Sequence, residues 1–89
     1  MESFDEKIAV ITGGGTGMGR ELARQLSAAG CHVAMCDVSE ENMSKTKALC
    51  YASASEGVRI TSHFADVSVE ADLIRFRSEV MREQETDYV

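Results

Sequence analysis

No proline and no tryptophan occur among the 89 residues, and aromatic side chains make up only 6%. Without proline there is no sign of a rigid linker. No internal repeat or low-complexity stretch divides the chain, which reads as a single small domain over residues 1–89 with a marginal core. Basic residues are also scarce, nine against fifteen acidic ones, for a net charge of −6. That balance excludes nucleic acid and anionic membrane surfaces as partners. No apolar run approaches the ~20 residues needed to cross a bilayer. The start, Met1-Glu2-Ser3-Phe4-Asp5-Glu6, lacks the basic and apolar regions of a signal peptide. The three cysteines, Cys31, Cys36 and Cys50, form no C-x-x-C pair and read as buried, reduced thiols in a cytoplasmic setting. His32 and His63 fall in no ligand spacing with one another or with the cysteines, so no metal site is expected.

What is present centres on Thr12-Gly13-Gly14-Gly15-Thr16-Gly17-Met18-Gly19. Before it, Lys7-Ile8-Ala9-Val10-Ile11 is an apolar, partly β-branched run that reads as a strand buried on both faces. After it, Met18, Leu22, Leu26 and Ala29 recur on one side of a helix. A glycine turn between a buried strand and a helix N-terminus suits an anion, because bare N–H groups and the helix dipole both face outward there. The spacing decides which anion. G-x-G-x-x-G fails in every frame. The phosphate loop G-x-x-x-x-G-K-[ST] matches from Gly14 to Gly19, then fails at Arg20 and Glu21. T-G-x-x-x-G-x-G fits, as Thr12, Gly13, Gly17 and Gly19. Arg20, on the first helical turn, is expected either close to the bound anion or in solvent.

Along the chain, Gly30 stops the first helix and His32-Val33-Ala34-Met35-Cys36-Asp37 forms a second buried strand. Ser39 caps a helix running to about Ser55, with Met43, Thr46, Leu49 and Cys50 inward and Gly57 closing it. The stretch from Val58 to Ala65 alternates, with Val58, Ile60 and Phe64 on one face and Arg59, Thr61 and His63 on the other. This is the pattern of an edge strand with one wet face, which makes His63 solvent-facing. Ser68 opens a last helix with the apolar stripe Val69, Leu73, Phe76 and Val80, and Asp87-Tyr88-Val89 begins a further strand. Such alternation defines an α/β, doubly wound fold. Right-handed crossovers give a parallel sheet of order 3-2-1 with the start of strand 4 at the C-terminus and helices on both faces, the first half of a Rossmann fold.

Asp37 ends the second strand on the order of 20 residues past the glycine loop, where a carboxylate accepts from the adenosine ribose hydroxyls and repels a 2′-phosphate. Beside such a carboxylate, with Thr16 and Val38 both neutral, NAD is expected in preference to NADP. Asp37 and Asp66 each have a plainer reading as a loop carboxylate or helix cap.

The glycine spacing, with Asp37 and the pair Asp66-Val67 in phase with it, resembles the short-chain dehydrogenase/reductase family from about Lys7 to Val89. The resemblance implies a dinucleotide held by Gly13, Gly15, Thr16, Gly17, Met18, Gly19, Asp37, Val38, Asp66 and Val67. In it Asp66 meets the adenine amine and Met18 offers its N–H to the diphosphate. It further implies hydride exchange between a nicotinamide and a small alcohol or ketone in the complete enzyme. The family's catalytic Asn, Ser and Tyr-x-x-x-Lys are not found: Tyr51 is followed four places on by Ser55, and Tyr88 by Val89 alone. No residue is therefore assigned a catalytic role, and this 89-residue chain by itself is expected to be inactive. The apolar first strand, left as an open edge, is expected to promote self-association. The alternative is a naturally short, non-catalytic nucleotide-binding or interaction module; a methyltransferase with a related sheet fits the loop less well.

Overall fold

The computed structural model describes residues 7–83 and 87–88. The elements run β1 (Lys7–Thr12), α1 (Gly17–Ala28), β2 (His32–Asp37), α2 (Glu40–Ser53), β3 (Ile60–Phe64), α3 (Glu70–Glu83) and β4 (Asp87–Tyr88). The four strands pair in parallel, in the order β3-β2-β1-β4. This is the expected 3-2-1 sheet with a fourth strand begun beside the first. Of Asp87-Tyr88-Val89, the last residue lies outside the described residues.

Period-two alternation sends each central strand to two cores at once. Ala9, Ile11, Val33, Met35 and Ile60 pack with Ala23 of α1 and with Met43 and Cys50 of α2. Ile8, Ala34 and Cys36 face the other way, against Phe76 and Val80 of α3. Removing a side chain such as Ile8 or Met35 from water contributes on the order of 1.5–3 kcal/mol. Among the described residues, two helices cover one face and α3 alone covers the other. Val10 is accordingly 42% exposed, at a recess of about 430 Å³ that it lines with Thr12, Leu73, Phe76, Arg77, Val80 and Met81.

Five expectations need correction. Met18 and Leu22 do not face inward. They are exposed, while α1 buries the small residues Ala23 and Ser27, packs Leu26 against the core and passes close to the Gly13–Gly14 turn at Gly19. A Cβ on Gly19 would lie 2.1 Å from the Gly13 carbonyl oxygen. Second, α2 stops at Ser53. The next residues are drawn off onto the end of α1, where the Ser55 N–H donates to Ser27 O and its hydroxyl to Ala28 O. Leu49, expected inward, is left exposed. Third, regular pairing of β3 begins at Ile60 and not Val58, since the Arg59 N–H donates to His32 Nδ1 at 2.9 Å.

Fourth, His63 is not solvent-facing. It is 4% exposed, with Nδ1 2.8 Å from Glu79 Oε1, Nε2 2.9 Å from Thr61 Oγ1, and its ring tilted on Phe76. Phe64 is the half-exposed residue. Helix α3 covers the face that alternation had assigned to water. Fifth, the stripe on α3 is buried only in its second half, at Phe76 and Val80, while Val69 and Leu73 remain exposed. The edge position of β3 stands. Its outer backbone is partly satisfied by Tyr51, whose hydroxyl accepts from Ile60 N and donates to Ile60 O. The thiols are buried and unpaired with one another, and burial raises all three above the ordinary thiol range.

Candidate functional site

The carboxyl ends of β1, β2 and β3 and the N-terminus of α1 meet at one end of the sheet. Gly13 leaves β1 at φ +71 and Gly17 enters α1 at φ +60, a left-handed backbone that glycine adopts without strain. Nothing lies within 4 Å of where a Cβ would stand on either, so the turn presents bare backbone outward. Thr16 is the extended N-cap and makes no side-chain cap. The first N–H groups of the helix, at Gly17, Met18 and Gly19, therefore have no acceptor from Thr16 and none within the helix. That arrangement fits a diphosphate. Met18, 86% exposed, projects its side chain past this end.

The loop is tied down on its inner side. Gly13 N and Gly14 N donate to Cys36 O at 2.8 and 3.2 Å. Gly14 is buried against Met35, where a Cβ would come 2.6 Å from Met35 Cβ. Gly15 N donates to Asp37 Oδ2 at 2.9 Å, and Val38 N donates to Asp37 Oδ1 at 2.6 Å. The carboxylate is thus fixed in orientation by two backbone donors at the tip of β2.

Beyond it is a cleft of about 250 Å³, lined by Gly13, Cys36, Asp37, Val38, Ala65, Asp66 and Val67. The expected residues at 37, 38, 66 and 67, far apart in sequence, share one wall with Gly13. Asp66 Oδ1 accepts from both the N–H and the hydroxyl of Ser68, at 2.9 and 2.6 Å. These bonds hold its carboxyl below the usual carboxylate range. Its own N–H donates to Asp72 Oδ2 in the first turn of α3. Asp66 is thus a turn residue at the entry to α3 as well as a wall of the cleft.

The Gly15 N–H is given to Asp37 Oδ2. Arg20 departs from expectation. Arg20 points neither to the turn's outer surface nor into solvent, but across to α2. Its Nη2 donates to Gly15 O and to Asn42 O, and its Nε to Thr46 Oγ1 at 2.8 Å. Thr46, fully buried, donates in turn to Gly15 O at 3.1 Å. Sequence reasoning read Thr46 only as an inward helix position. Among the described residues no group of three metal-ligating side chains occurs, and no helix is long and apolar enough to cross a membrane.

A parallel sheet in this order, with a glycine turn and an acid at adjacent strand tips, defines the dinucleotide-binding class of α/β folds. The chain belongs to the short-chain dehydrogenase family of oxidoreductases, whose family model matches residues 7–86. It is 39% identical over 70 residues to levodione reductase of Leifsonia aquatica, covering 79% of this chain and 26% of that protein. Among solved structures, NAD+-bound xylitol dehydrogenase superposes with a TM-score of 0.86 at 27% identity, covering 94% of this chain and 31% of that one. A metagenomic short-chain oxidoreductase in complex with NADP gives 0.80 at 25% identity, covering 94% and 37%. The chain thus spans about a third or less of the length of these relatives.

Proposed function

We infer that this chain is the NAD-binding half of a short-chain oxidoreductase that exchanges a hydride between the nicotinamide and a small alcohol or ketone. The observation carrying this reading is the cleft at the strand tips, where Gly13, Asp37, Val38, Asp66 and Val67 stand together beside the uncapped start of α1. In it the N–H groups of Gly17, Met18 and Gly19 bind the diphosphate, with Thr16 beside them at the N-cap. Asp37 accepts from the adenosine ribose hydroxyls, and Asp66 and Val67 border the adenine. When bound, the nicotinamide supplies the hydride donor or acceptor.

The preference for NAD over NADP rests on charge. Asp37 is held at the ribose edge of the cleft, Thr16 and Val38 are neutral, and the nearby Arg20 guanidinium is turned away onto Gly15, Asn42 and Thr46. A 2′-phosphate would meet a carboxylate with no cation among the described residues that line the cleft. Titration with NADH and NADPH, followed by nicotinamide fluorescence and by thermal melting, tests this. NADH should bind at least about tenfold more tightly. Tighter binding of NADPH would reverse the cofactor assignment, and binding of neither would remove the function.

No residue among these 89 takes a catalytic role. Tyr51 is bonded to the Ile60 backbone, away from the strand tips. The 89-residue chain alone should show no alcohol-dependent NADH formation, and turnover in that assay would contradict the reading. The cytoplasm fits the reduced thiols. Self-association is proposed through the edge of β1. Among the described residues β4 pairs only with Lys7 and Ile8, which leaves the rest of β1 open.

A further inference from the structure

Gly15 is gripped from both ends. Its N–H is given to Asp37 Oδ2, and its carbonyl accepts from Arg20 Nη2 and Thr46 Oγ1. The packing is close enough that a Cβ on Gly15 would stand 2.6 Å from Asp37 Oδ2 and 3.0 Å from Asn42 Cβ. Behind it, the Thr46 hydroxyl is wholly buried; it donates to Gly15 O and accepts from Arg20 Nε. A glycine has no side chain to fix its peptides, so these bonds set its orientation. If the carbonyl is released, the backbone can rotate and carry the N–H off Asp37. The carboxylate then loses one of the two donors that orient it.

We propose that Arg20 and Thr46 are positioning residues for adenosine ribose recognition, setting the direction of the Asp37 carboxylate through Gly15. Helix α2, which contributes nothing to the lining of the cleft, thereby takes part in binding. The proposal rests on the dinucleotide reading above and extends it to two side chains that do not touch the ligand.

The test compares ADP with 2′-deoxy-ADP by calorimetry on the 89-residue chain. The wild-type chain should favour ADP by about tenfold, the worth of one hydrogen bond to a charged group. Thr46→Val, which keeps shape and removes the hydroxyl, and Arg20→Met should bring that ratio close to one. Thr46→Ser should restore it. A role in stability alone would weaken both nucleotides equally and leave the ratio at its wild-type value, which overturns the proposal. Should Thr46→Val fail to fold by circular dichroism, the half-buried Arg20→Met and Arg20→Lys decide the matter on the same ratio. Equal binding of both nucleotides by the wild-type chain also overturns the proposal. Failure of the wild-type chain to bind ADP at all overturns the underlying dinucleotide reading instead.

Discussion

At the scale of single residues, Asp37 has two duties that a substitution cannot separate: it faces the cleft, and it anchors Gly15 and Val38. Asp37→Ala should weaken NADH binding by about 10–100-fold, since bonds to a charged acceptor are each worth about 1.5–3 kcal/mol. It should not produce a good NADPH binder, because the loop loses its tie at the same time. Fluorescence titration with both cofactors checks this. Gly19→Ala should be at least as damaging. Its methyl group must displace the Gly13 carbonyl, at a cost of about 1–3 kcal/mol visible in denaturant unfolding. The thiols at 31, 36 and 50 have raised pKa values through burial. Folded thiols thus keep their protons while unfolded ones lose them above about pH 8.5. Stability should be unaffected by these groups at neutral pH and fall as pH rises past that value. Ellman's reagent should react slowly with the native chain and promptly in denaturant. Asp37 was legible from its distance to the glycine turn. The parts played by Arg20 and Thr46 were not, because side-chain bonds between helices leave no periodic trace in the sequence.

The elements themselves were largely readable, but their faces were not always so. In α1 the apolar row is Met18, Leu22 and Leu26, yet of these Leu26 packs on the core while Met18 and Leu22 are exposed, and the buried positions are the small residues Ala23 and Ser27. Close approach to a strand selects for small volume, which a hydrophobicity pattern ranks last. In β3 the alternation was correctly seen, but it cannot say whether a polar face meets water or another helix. His63 meets Glu79 and Phe76 of α3. The cap at Ser39 was legible and is formed, with Oγ accepting from Asn42 N at 3.2 Å. Ser39→Ala should cost about 1 kcal/mol in urea unfolding. Phe76→Ala should cost about 3–5 kcal/mol, because Phe76 is one of two side chains by which α3 fills its core, with little else there to close the gap.

At the scale of the fold, the layer count among the described residues follows from the crossovers: two helices on one face, one on the other, and strand tips gathered at a single end. The lone helix leaves the recess at Val10, Leu73 and Met81 and an open length of β1. The expected outcome is association that grows with concentration. Sedimentation velocity over a dilution series should show the mean mass falling toward that of one chain, and a constant monomer at all concentrations would refute it. Architecture was accessible to sequence reasoning because alternating strands and helices with right-handed crossovers permit few arrangements.

The sheet order has a consequence in time. Of the four strands, β1 leaves the ribosome first and lies between β2 and β4, the latest of the four to be made. Linking Lys7 to Asp87 closes a loop of nearly the entire chain, whereas β2 reaches both of its neighbours across a single helical crossover. During synthesis β1 must therefore wait with one flank bare until β4 has been made. A nascent-chain protease probe aimed at Lys7 and Ile8 should find these residues the last of the four strands' paired positions to become resistant.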